Sequence, residues 1–484
     1  AMVYCVKNGD PEPGAETPET KPNFTLKVDP SIKVEYDEDG EPKPIYAYLE
    51  LQGLEDGQNV TIEQNGQKTD YTLSKTVANS VQLEVEPNDV IKVYGRLRAF
   101  KAQADRLVAC ELGKNDDLEV LDLMMNKISE LNLTQLPNLR ELSVTNNKLT
   151  SIDLGYLKKL QQFYGSYNKV GKLDTSKNPD LEVLACAAMG LTELDLSKNA
   201  KLENLTAGKN NYATFPDLSN KTSMKWIDME DCGMKGFDAT IFPKLKFLDL
   251  SGNRLTNIDL SKNSLLRKLD LDNNQMDACA INDILFTLPK VQKEDEATLQ
   301  IKGNTGSGTC DNTLLEGKNW NMNVTGDGSG CNTVRLRFEE NTQGTFKTIV
   351  DGKDIPEWTP IEKGKEVKIE ASPIKGYKLV KTMLNGEDVT ANKFKIQQYG
   401  VLAAVFDVDN GIRDTQAETV RVGRHNGNIV VMGLQSEKNY SIYDVSGKLL
   451  HIGITNANGD AVISLPAGHL IIIKQEHLVI KVRR

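Results

Sequence analysis

The chain has 484 residues, 39% hydrophobic and 26% charged, which gives room for about three domains with buried cores. Its formal net charge of −10 argues against nucleic acid as the main ligand. All four histidines lie in the last 60 residues, so a histidine-dependent triad or a histidine-ligated zinc site finds no imidazole in the first 424 positions. No glycine-rich phosphate loop and no apolar run of about 20 residues occurs. We therefore expect a protein without catalysis, cofactor or transmembrane segment.

The first 95 residues divide into a leader and a β domain. Residues 1–21 are rich in Pro, Glu and Thr, which predicts a mobile leader. Residues 22–95 alternate apolar and polar side chains, and Asn65-Gly66 is typical of a hairpin turn. This segment runs directly into the repeats that follow, so we expect an N-terminal β cap domain. Its predicted strands are residues 25–28, 45–51, 59–64, 81–85 and 90–94.

Residues 96–333 are dominated by a repeat of the form L-x-x-L-x-L-x-x-N-x-L, which resembles the leucine-rich-repeat signature. Seven of the eight intervals between repeat starts are 21 residues and one is 22. In each copy the L-x-L core predicts a short strand, and stacking these strands in parallel buries one leucine column against the next. The return side of about ten residues is too short for a helix, so we expect it to be extended. The repeats open at Leu97, Leu118, Leu139, Leu160, Leu181, Leu202, Met224, Leu245 and Leu266.

An asparagine column follows the strands and a cap follows the last repeat. Asparagine at the strand exit can hydrogen-bond the backbone of its own and neighbouring turns. After the last repeat, residues 280–289 have helical apolar spacing and predict an amphipathic capping helix. Residues 297–306 predict a last strand that returns Asn304 to the asparagine slot, and residues 307–333 predict a loop with a short extended piece around Trp320. The column is Asn126, Asn147, Asn168, Asn210, Asn253 and Asn274.

The C-terminal third predicts two further small β domains. Residues 334–408 contain six strand-like segments and an Asn385-Gly386 turn. Residues 409–416 are a short linker, and residues 417–484 alternate seven strand-like segments with turns, as in an immunoglobulin-like sandwich. The predicted fold class is therefore mostly β. It combines a solenoid of parallel strands with an N-terminal β cap domain and two small immunoglobulin-like or β-grasp-like domains.

The repeats and their cap resemble one known family. The form L-x-x-L-x-x-x-x-N-x-L-x-x-L-D-L-S-K-N is similar to internalin-like leucine-rich surface proteins exported by Gram-negative bacteria. The run from Cys279 through residues 303–310 to Trp320 resembles the end-cap of that group. The A-S-P-x-x-G-Y pattern at 371–377 resembles the small β repeats that follow the leucine-rich region in internalins.

The last domain resembles the C-terminal sorting domain of type IX secretion cargo. It carries the IYDVSGK turn at 442–448, the LPAG step at 465–468 and the basic terminus at 481–484. The resemblance implies export through the outer membrane, attachment to the cell surface and an adhesive or biofilm role. A chain that starts at Ala1 without a signal peptide is interpreted as the mature exported form. The alternatives are a start unrelated to natural processing and a lipid anchor at Cys5.

The cysteines allow more than one pairing. Cys186 falls in an inward strand slot and Cys232 in the asparagine slot, so both are predicted to be buried thiols. The family resemblance, with a cap that folds back, favours a Cys279–Cys310 disulfide. Two separate thiols and a Cys310–Cys331 pair remain alternatives. Seven cysteines leave at least one thiol free, and the absence of a C-x-x-C motif argues against a zinc site.

The repeat register also predicts a ligand site on the concave strand face. Trp226 and Phe247 fall in one outward column, and Asp228, Asp249 and Asp270 stack as like charges in another, at about 4.8 Å per strand. Exposed neighbouring aromatics are common binding anchors, and stacked carboxylates favour a cation beside them. The alternative is that aspartate is a solvated filler and the aromatics pack on each other. The candidate ligand-binding residues are Tyr164, Trp226, Asp228, Glu230, Phe247, Asp249, Asp270 and Asp272.

These observations predict a secreted, surface-attached adhesin or interaction protein. The expected partner is a basic protein or a cation at the concave face, drawn from host or bacterial surfaces. The secretion machinery is a second expected partner, through the last domain. The alternative function is carbohydrate binding, in which Trp226, Phe247 and Tyr164 would stack on sugars.

Overall fold

The computed structural model describes residues 21–103, 106–408, 421–425, 428–432, 434–444, 448–458, 460–463, 470–475 and 478–483. The predicted leader up to residue 20, the 409–416 linker and the LPAG step therefore lie outside the described residues. The chain divides into two units, Ala1–Val334 and Arg335–Arg484.

The N-terminal β segment forms two layers. Strands β4-β3-β6-β1-β8 make a five-stranded sheet, whereas β5-β2-β7 continue the long sheet of the repeats. Asn65 and Gly66 join β3 to β4 with φ of 52° and 78°, as the hairpin prediction requires. Phe24 and Phe100 stack between the layers with ring centroids 4.1 Å apart. The strands are β1 Phe24–Val28, β2 Ile45–Gln52, β3 Gln58–Gln64, β4 Gln67–Leu73, β5 Asn79–Val85, β6 Val90–Tyr94, β7 Ala99–Gln103 and β8 Leu107–Leu112.

The repeats form a solenoid of parallel three-residue strands in the predicted register. The central residue of every such strand is buried, and the first and third residues lie on the opposite, concave face. The fold is thus mostly β with a parallel-strand solenoid, as predicted. The strands are β9 Val120–Asp122, β10 Glu141–Ser143, β11 Gln162–Tyr164, β12 Val183–Ala185, β13 Asn204–Thr206, β14 Trp226–Asp228, β15 Phe247–Asp249 and β16 Lys268–Asp270.

The asparagine column ties consecutive turns together. The Nδ2 of buried Asn168 donates to the carbonyl oxygens of Val144 and Gly165, both at 2.9 Å. The Oδ1 of Asn168 accepts from the N–H of Leu149 at 3.0 Å. Asn304 repeats the pattern after the capping helix, which confirms its predicted slot. Each amide therefore satisfies backbone groups of two adjacent turns in a dry interior.

A helix and two short strands close the C-terminal end of the solenoid. Helix α1 spans Ala278–Thr287, where Asp277 caps its first turn by accepting from the N–H of Ala280 at 2.8 Å. Strand β17 (Thr298–Gln300) pairs in parallel with β16, and β18 (Asn321–Met322) pairs with β17. The strand β19 (Thr333–Val334) ends this unit, and short 3₁₀ turns cover Lys293–Asp295 and Asn312–Leu315.

The predicted Cys279–Cys310 disulfide is wrong. Cys279 is bonded to Cys331, with their Cα atoms 5.0 Å apart. Cys310 is fully buried as a free thiol whose Sγ donates to the carbonyl oxygen of Ser307 at 3.3 Å. The chain between 310 and 331 therefore returns to the start of α1 and brings the later cysteine to the helix. Cys186 and Cys232 are free and buried, as predicted.

The second unit contains short sheets that combine antiparallel strand pairs with a parallel pair between residues 336–338 and 400–402. Strands β20-β28-β25-β26 and β22-β21-β24-β27 form two four-stranded sheets, and the last seven strands form β29-β30-β33 and β32-β31-β34-β35. Among the described residues, no helix has the length and apolarity needed to cross a bilayer. The strands are β20 Leu336–Phe338, β21 Gly344–Val350, β22 Lys353–Ile355, β23 Ile361–Glu362, β24 Glu366–Pro373, β25 Tyr377–Leu384, β26 Glu387–Asp388, β27 Lys393–Lys395, β28 Gly400–Val408, β29 Arg421–His425, β30 Asn428–Met432, β31 Asn439–Asp444, β32 Leu449–Ile454, β33 Ala461–Ile463, β34 Leu470–Gln475 and β35 Leu478–Arg483.

Candidate functional site on the concave face

Strands β14 to β16 bring the predicted aromatic and acidic residues together. Trp226 pairs with Phe247 in the ladder, and Phe247 pairs with Lys268. Two positions along each strand, the third residue forms the row Asp228, Asp249 and Asp270. This part of the concave face therefore presents two parallel rows, one aromatic and one acidic. We call it the β14–β16 patch.

The two aromatic rings of the β14–β16 patch point away from the interior. Trp226 is 41% exposed, and its ring stacks on that of Phe247 with centroids 3.5 Å apart and an interplanar angle of 6°. The face-to-face contact holds both rings in one orientation without a ligand. The exposed-anchor hypothesis and its packing alternative are thus compatible, because the pair packs on itself and still presents a surface.

The three aspartates are half-buried and share a local hydrogen-bond pattern. In each, Oδ1 accepts from the backbone N–H two residues later, at 3.3 Å for Asp228, 2.9 Å for Asp249 and 2.9 Å for Asp270. These bonds turn the chain at the strand end, so aspartate here also has a structural role.

The acidic row resists ionisation. Burial, followed by the charges of neighbouring acids, raises the pKa of Asp228 to about 6 and that of Asp270 to about 6. The pKa of Asp249 is also raised, chiefly by burial. Carboxylates at one-strand spacing in partly dry surroundings are therefore poorly compensated at neutral pH.

Two other predicted site residues already have partners within the chain. Glu230 forms an ion pair with Lys209 at 2.9 Å, which raises the pKa of that lysine. The Oδ1 of Asp272 accepts from the N–H of Lys302 at 2.6 Å and from the Nδ2 of Asn323 at 3.0 Å. Both side chains border the β14–β16 patch, but their main contacts stabilise the solenoid.

Tyr164 lies apart from the β14–β16 patch. It belongs to β11, three strand spacings from β14, which is about 14 Å. Its hydroxyl donates to the Oε1 of Gln162 at 2.8 Å, and its neighbours in the row are small. The structure therefore does not bring Tyr164 together with Trp226 and Phe247.

The concave face also extends onto the N-terminal segment, which the sequence reasoning did not foresee. Strand β7 pairs in parallel with β9 and antiparallel with β2, so Tyr46 and Tyr48 lie on the same face of the same sheet as the outward columns. The sequence shows that these tyrosines alternate with the apolar Ala47 and Leu49, which are buried, but it does not show that β2 joins the sheet of the solenoid. Among the described residues, no group of three or more His, Cys, Asp or Glu side chains is placed to hold a metal ion.

The comparisons with known proteins agree on the repeat fold. Residues 138–160 and 244–266 match the family model described as Leucine Rich Repeat. The functional domain of InlJ from Listeria monocytogenes is similar at 18% identity and a TM-score of 0.35, covering 67% of this chain and 66% of that one. The internalin InlF from the same species is similar at 20% identity and a TM-score of 0.30, covering 43% and 73%. Among curated proteins, none matches at a significant level.

YopM from Yersinia enterocolitica gives a further similarity, at 21% identity and a TM-score of 0.33, covering 44% of this chain and 47% of that one. At these identities the likeness concerns the fold alone. The register of the strands, the asparagine ladder and the matched segments define a leucine-rich-repeat solenoid.

Proposed function

We propose that this chain is a non-catalytic protein-interaction protein whose partner binds the β14–β16 patch through a basic surface. The observation that carries the proposal is the exposed, stacked pair of Trp226 and Phe247 beside three poorly compensated carboxylates. Large exposed aromatics supply contact area with little loss of side-chain entropy, and they dominate many interfaces. A basic partner would lower the pKa values of the acidic row and recover part of its desolvation cost.

The proposed setting is the cell surface of a bacterium, where the chain takes part in adhesion or biofilm formation. Support comes from the sequence resemblance of the repeats to internalin-like proteins and of residues 417–484 to type IX sorting domains. Deleting residues 417–484 is expected to trap the protein inside the cell envelope, as judged by surface labelling of intact cells. Normal display of the shortened protein would refute the sorting role.

The binding proposal is tested with the full chain against extracts of bacterial and host surface proteins. We expect Trp226→Ala and Asp249→Asn each to weaken capture by about tenfold or more, as removal of an interface anchor does. Asp249→Asn keeps the acceptor that turns the chain and removes only the charge. Val183→Ala, on the small central part of the concave face, is the matched control and should bind as the unaltered protein does.

Two outcomes would overturn the assignment. Equal capture by Trp226→Ala, Asp249→Asn and the unaltered protein would remove the β14–β16 patch from consideration. Binding to a glycan array that survives excess protein competitor, and that Trp226→Ala abolishes, would replace the protein partner by a carbohydrate. The geometry favours the protein, because each ring already uses one face in the mutual stack and Tyr164 lies too far away to add a third ring.

A further inference from the structure

A cavity of about 600 Å³ lies at the opposite end of the concave face from the β14–β16 patch. Its lining comprises residues 31–33 with Glu35, residues 43–46 with Tyr48, and the pair Arg106 and Lys127. Cavities of this size suit small molecules or single sugar units. The β14–β16 patch contributes no residue to this cavity, so the two sites are separate.

The wall of the cavity is fixed by one buried carboxylate. Asp29 is 2% exposed, and its Oδ2 accepts from the Nζ of Lys127 at 2.5 Å. Its Oδ1 accepts from the N–H and the hydroxyl of Ser31, and its own N–H donates to the carbonyl oxygen of Arg106. The loop is therefore anchored to both the first turn of the solenoid and the strand β8 that follows Arg106. The lysine bond lowers the pKa of Asp29 to about 2, so this anchor is charged throughout the physiological range.

The cavity is cationic although its surroundings are acidic. Residues 22–95 contain 14 acidic residues against 6 lysines and no arginine, yet four cations and one acid line the cavity. Asp29 compensates Lys127, and Glu35 lies 3.9 Å from Lys43 in an exposed pair. Among the described residues, no ion pair compensates Lys33 or Arg106. An excess of two positive charges thus faces the cavity.

Arg106 has a buried hydrogen-bond donor that the described residues leave unpaired. Its Nε is shut off from solvent, and no described residue accepts a hydrogen bond from it. Buried guanidinium N–H groups are almost always paired, so Arg106, which lines the cavity, keeps hydrogen-bonding capacity that the described residues do not use. Guanidinium groups match the planar oxygens of carboxylate and the oxygens of sulfate well.

The rim adds two aromatic surfaces. Tyr46 and Tyr48 lie two residues apart on β2, with ring centroids 6.4 Å apart, and Tyr48 is 52% exposed. The apolar face of a sugar ring packs on such surfaces while its hydroxyl groups stay in water. We propose that this cavity binds an acidic saccharide, whose carboxylate or sulfate group contacts Arg106 and Lys33 while its ring contacts Tyr46 and Tyr48.

The test uses the full chain and isothermal titration with three tetrasaccharides. A sulfated heparin-derived tetrasaccharide and a non-sulfated hyaluronan tetrasaccharide distinguish sulfate from carboxylate, and chitotetraose is the neutral control. We expect at least one acidic tetrasaccharide to bind tenfold or more tightly than chitotetraose, with affinity that falls as salt rises. Equal binding of all three would overturn the proposal.

Variants locate the site. We expect Arg106→Gln to weaken binding about tenfold and Lys33→Gln about threefold. Lys27→Gln makes the same charge change at an exposed position on β1 outside the cavity and should leave the affinity unchanged. Tyr48→Ala should weaken binding of the acidic tetrasaccharide. Lys33 and Tyr48 are exposed, so their variants are expected to fold even if Arg106→Gln does not.

Two results would overturn the location. Equal losses of affinity in Lys33→Gln and Lys27→Gln would mean that the charge acts diffusely and not at one site. An unchanged affinity in a folded Arg106→Gln variant would show that the arginine does not contact the saccharide. Trp226→Ala should bind the acidic tetrasaccharide normally. The saccharide proposal and the protein-binding proposal can therefore fail independently of each other.

Discussion

Each strand of the solenoid places one side chain in the interior and two on the concave face. The interior and the concave face differ in how much the residue type varies from repeat to repeat. Inside, Leu121 is followed at the same position by leucine, phenylalanine or isoleucine in every later repeat. Outside, the corresponding column changes from Val120 to Trp226 to Lys268. An interior residue must fit its equivalents in the adjacent turns, whereas an outward residue meets only its neighbours in the row and a possible partner. The repeats therefore specify the fold, and the departures from repetition locate the candidate site.

The largest expected effect is on the free energy of unfolding, and it comes from the interior of the solenoid at its C-terminal cap. The disulfide between Cys279 and Cys331 spans 52 residues, and a loop of that length predicts a loss of about 4 kcal/mol when the bond is removed. We expect Cys279→Ser with Cys331→Ser to lower the free energy of unfolding by that order in guanidinium titrations. Reduction of the unaltered protein should match the double variant, and reduction of the double variant should change nothing. A loss of binding at the β14–β16 patch would contradict the separation of the two regions.

The asparagine ladder should give the next largest effect. Asn168→Ala removes one side-chain acceptor and two side-chain donors, and leaves backbone groups of two turns unpaired in a dry interior. We expect a loss of about 2–3 kcal/mol in the free energy of unfolding. Lys169→Ala, at the next, exposed position, is the control and should stay within about 0.5 kcal/mol. Equal behaviour of the two variants would show that the ladder contributes little.

One buried position on the return side departs from the asparagine pattern, and a substitution there is expected to stabilise the protein. On the return side, Asn178, Asn199 and Asn263 each donate to two backbone carbonyl oxygens of the preceding turn. The equivalent slot in the longer repeat holds Lys221, which is fully buried and whose pKa burial lowers. Within the described part of the chain, its Nζ donates a hydrogen bond to the side chain of the adjacent Asn220 and to no backbone carbonyl oxygen.

Exchanging these two residues gives the Ser-Lys-Asn order that is found at 176–178, 197–199 and 261–263. We expect Asn220→Lys with Lys221→Asn to stabilise the protein by about 1 kcal/mol, because a buried ammonium is replaced by an amide with carbonyl partners. Thermal unfolding measures the change, and Lys177→Asn, at an exposed position of the same motif, serves as the control. A lower melting temperature for the exchanged variant would contradict the assignment of this slot.

Periodicity explains how far the sequence alone could lead. The 21-residue spacing predicts the parallel pairing of neighbouring strands from β9 through β16 and the outward columns, because every repeat has the same register. The apolar spacing predicts a helix at 280–289, whereas α1 begins two residues earlier, at Ala278, directly after its Asp277 cap. By contrast β4 was missed, since its exposed side chains are polar and show no apolar alternation.

The features without a period were not predictable. Cys331 lies in an irregular segment, so only the folded cap shows that it returns to Cys279. The columns placed Trp226 beside Phe247, but the stacking of their rings depends on side-chain rotamers that the register leaves open. The cationic cavity depends on contacts between residues 29 and 127, which are distant in sequence and belong to different domains of the prediction.

The smallest expected effect is a dependence of stability on pH that arises from the acidic row of the concave face and not from the apolar interior. Folding raises the pKa of Asp228 and of Asp270 from 3.8 to about 6, so between those values the folded state binds more protons than the unfolded state. Their contribution to stability is therefore fully present below about pH 4 and is lost as the pH rises through about 6. Asp228→Asn with Asp270→Asn removes this dependence and keeps the acceptors that turn the chain.

We expect this double variant to melt about 2 °C above the unaltered protein at pH 7.5, with a difference that shrinks towards pH 5. Binding of a basic partner should follow the opposite trend, because protonation near pH 6 removes the charges that attract it. Affinity of the unaltered protein should then fall several-fold between pH 7.5 and pH 5, while Val183→Ala falls in parallel and the double variant stays nearly flat. A double variant whose affinity keeps the full pH dependence would place the titrating groups elsewhere and leave the aromatic pair as the whole of the β14–β16 patch.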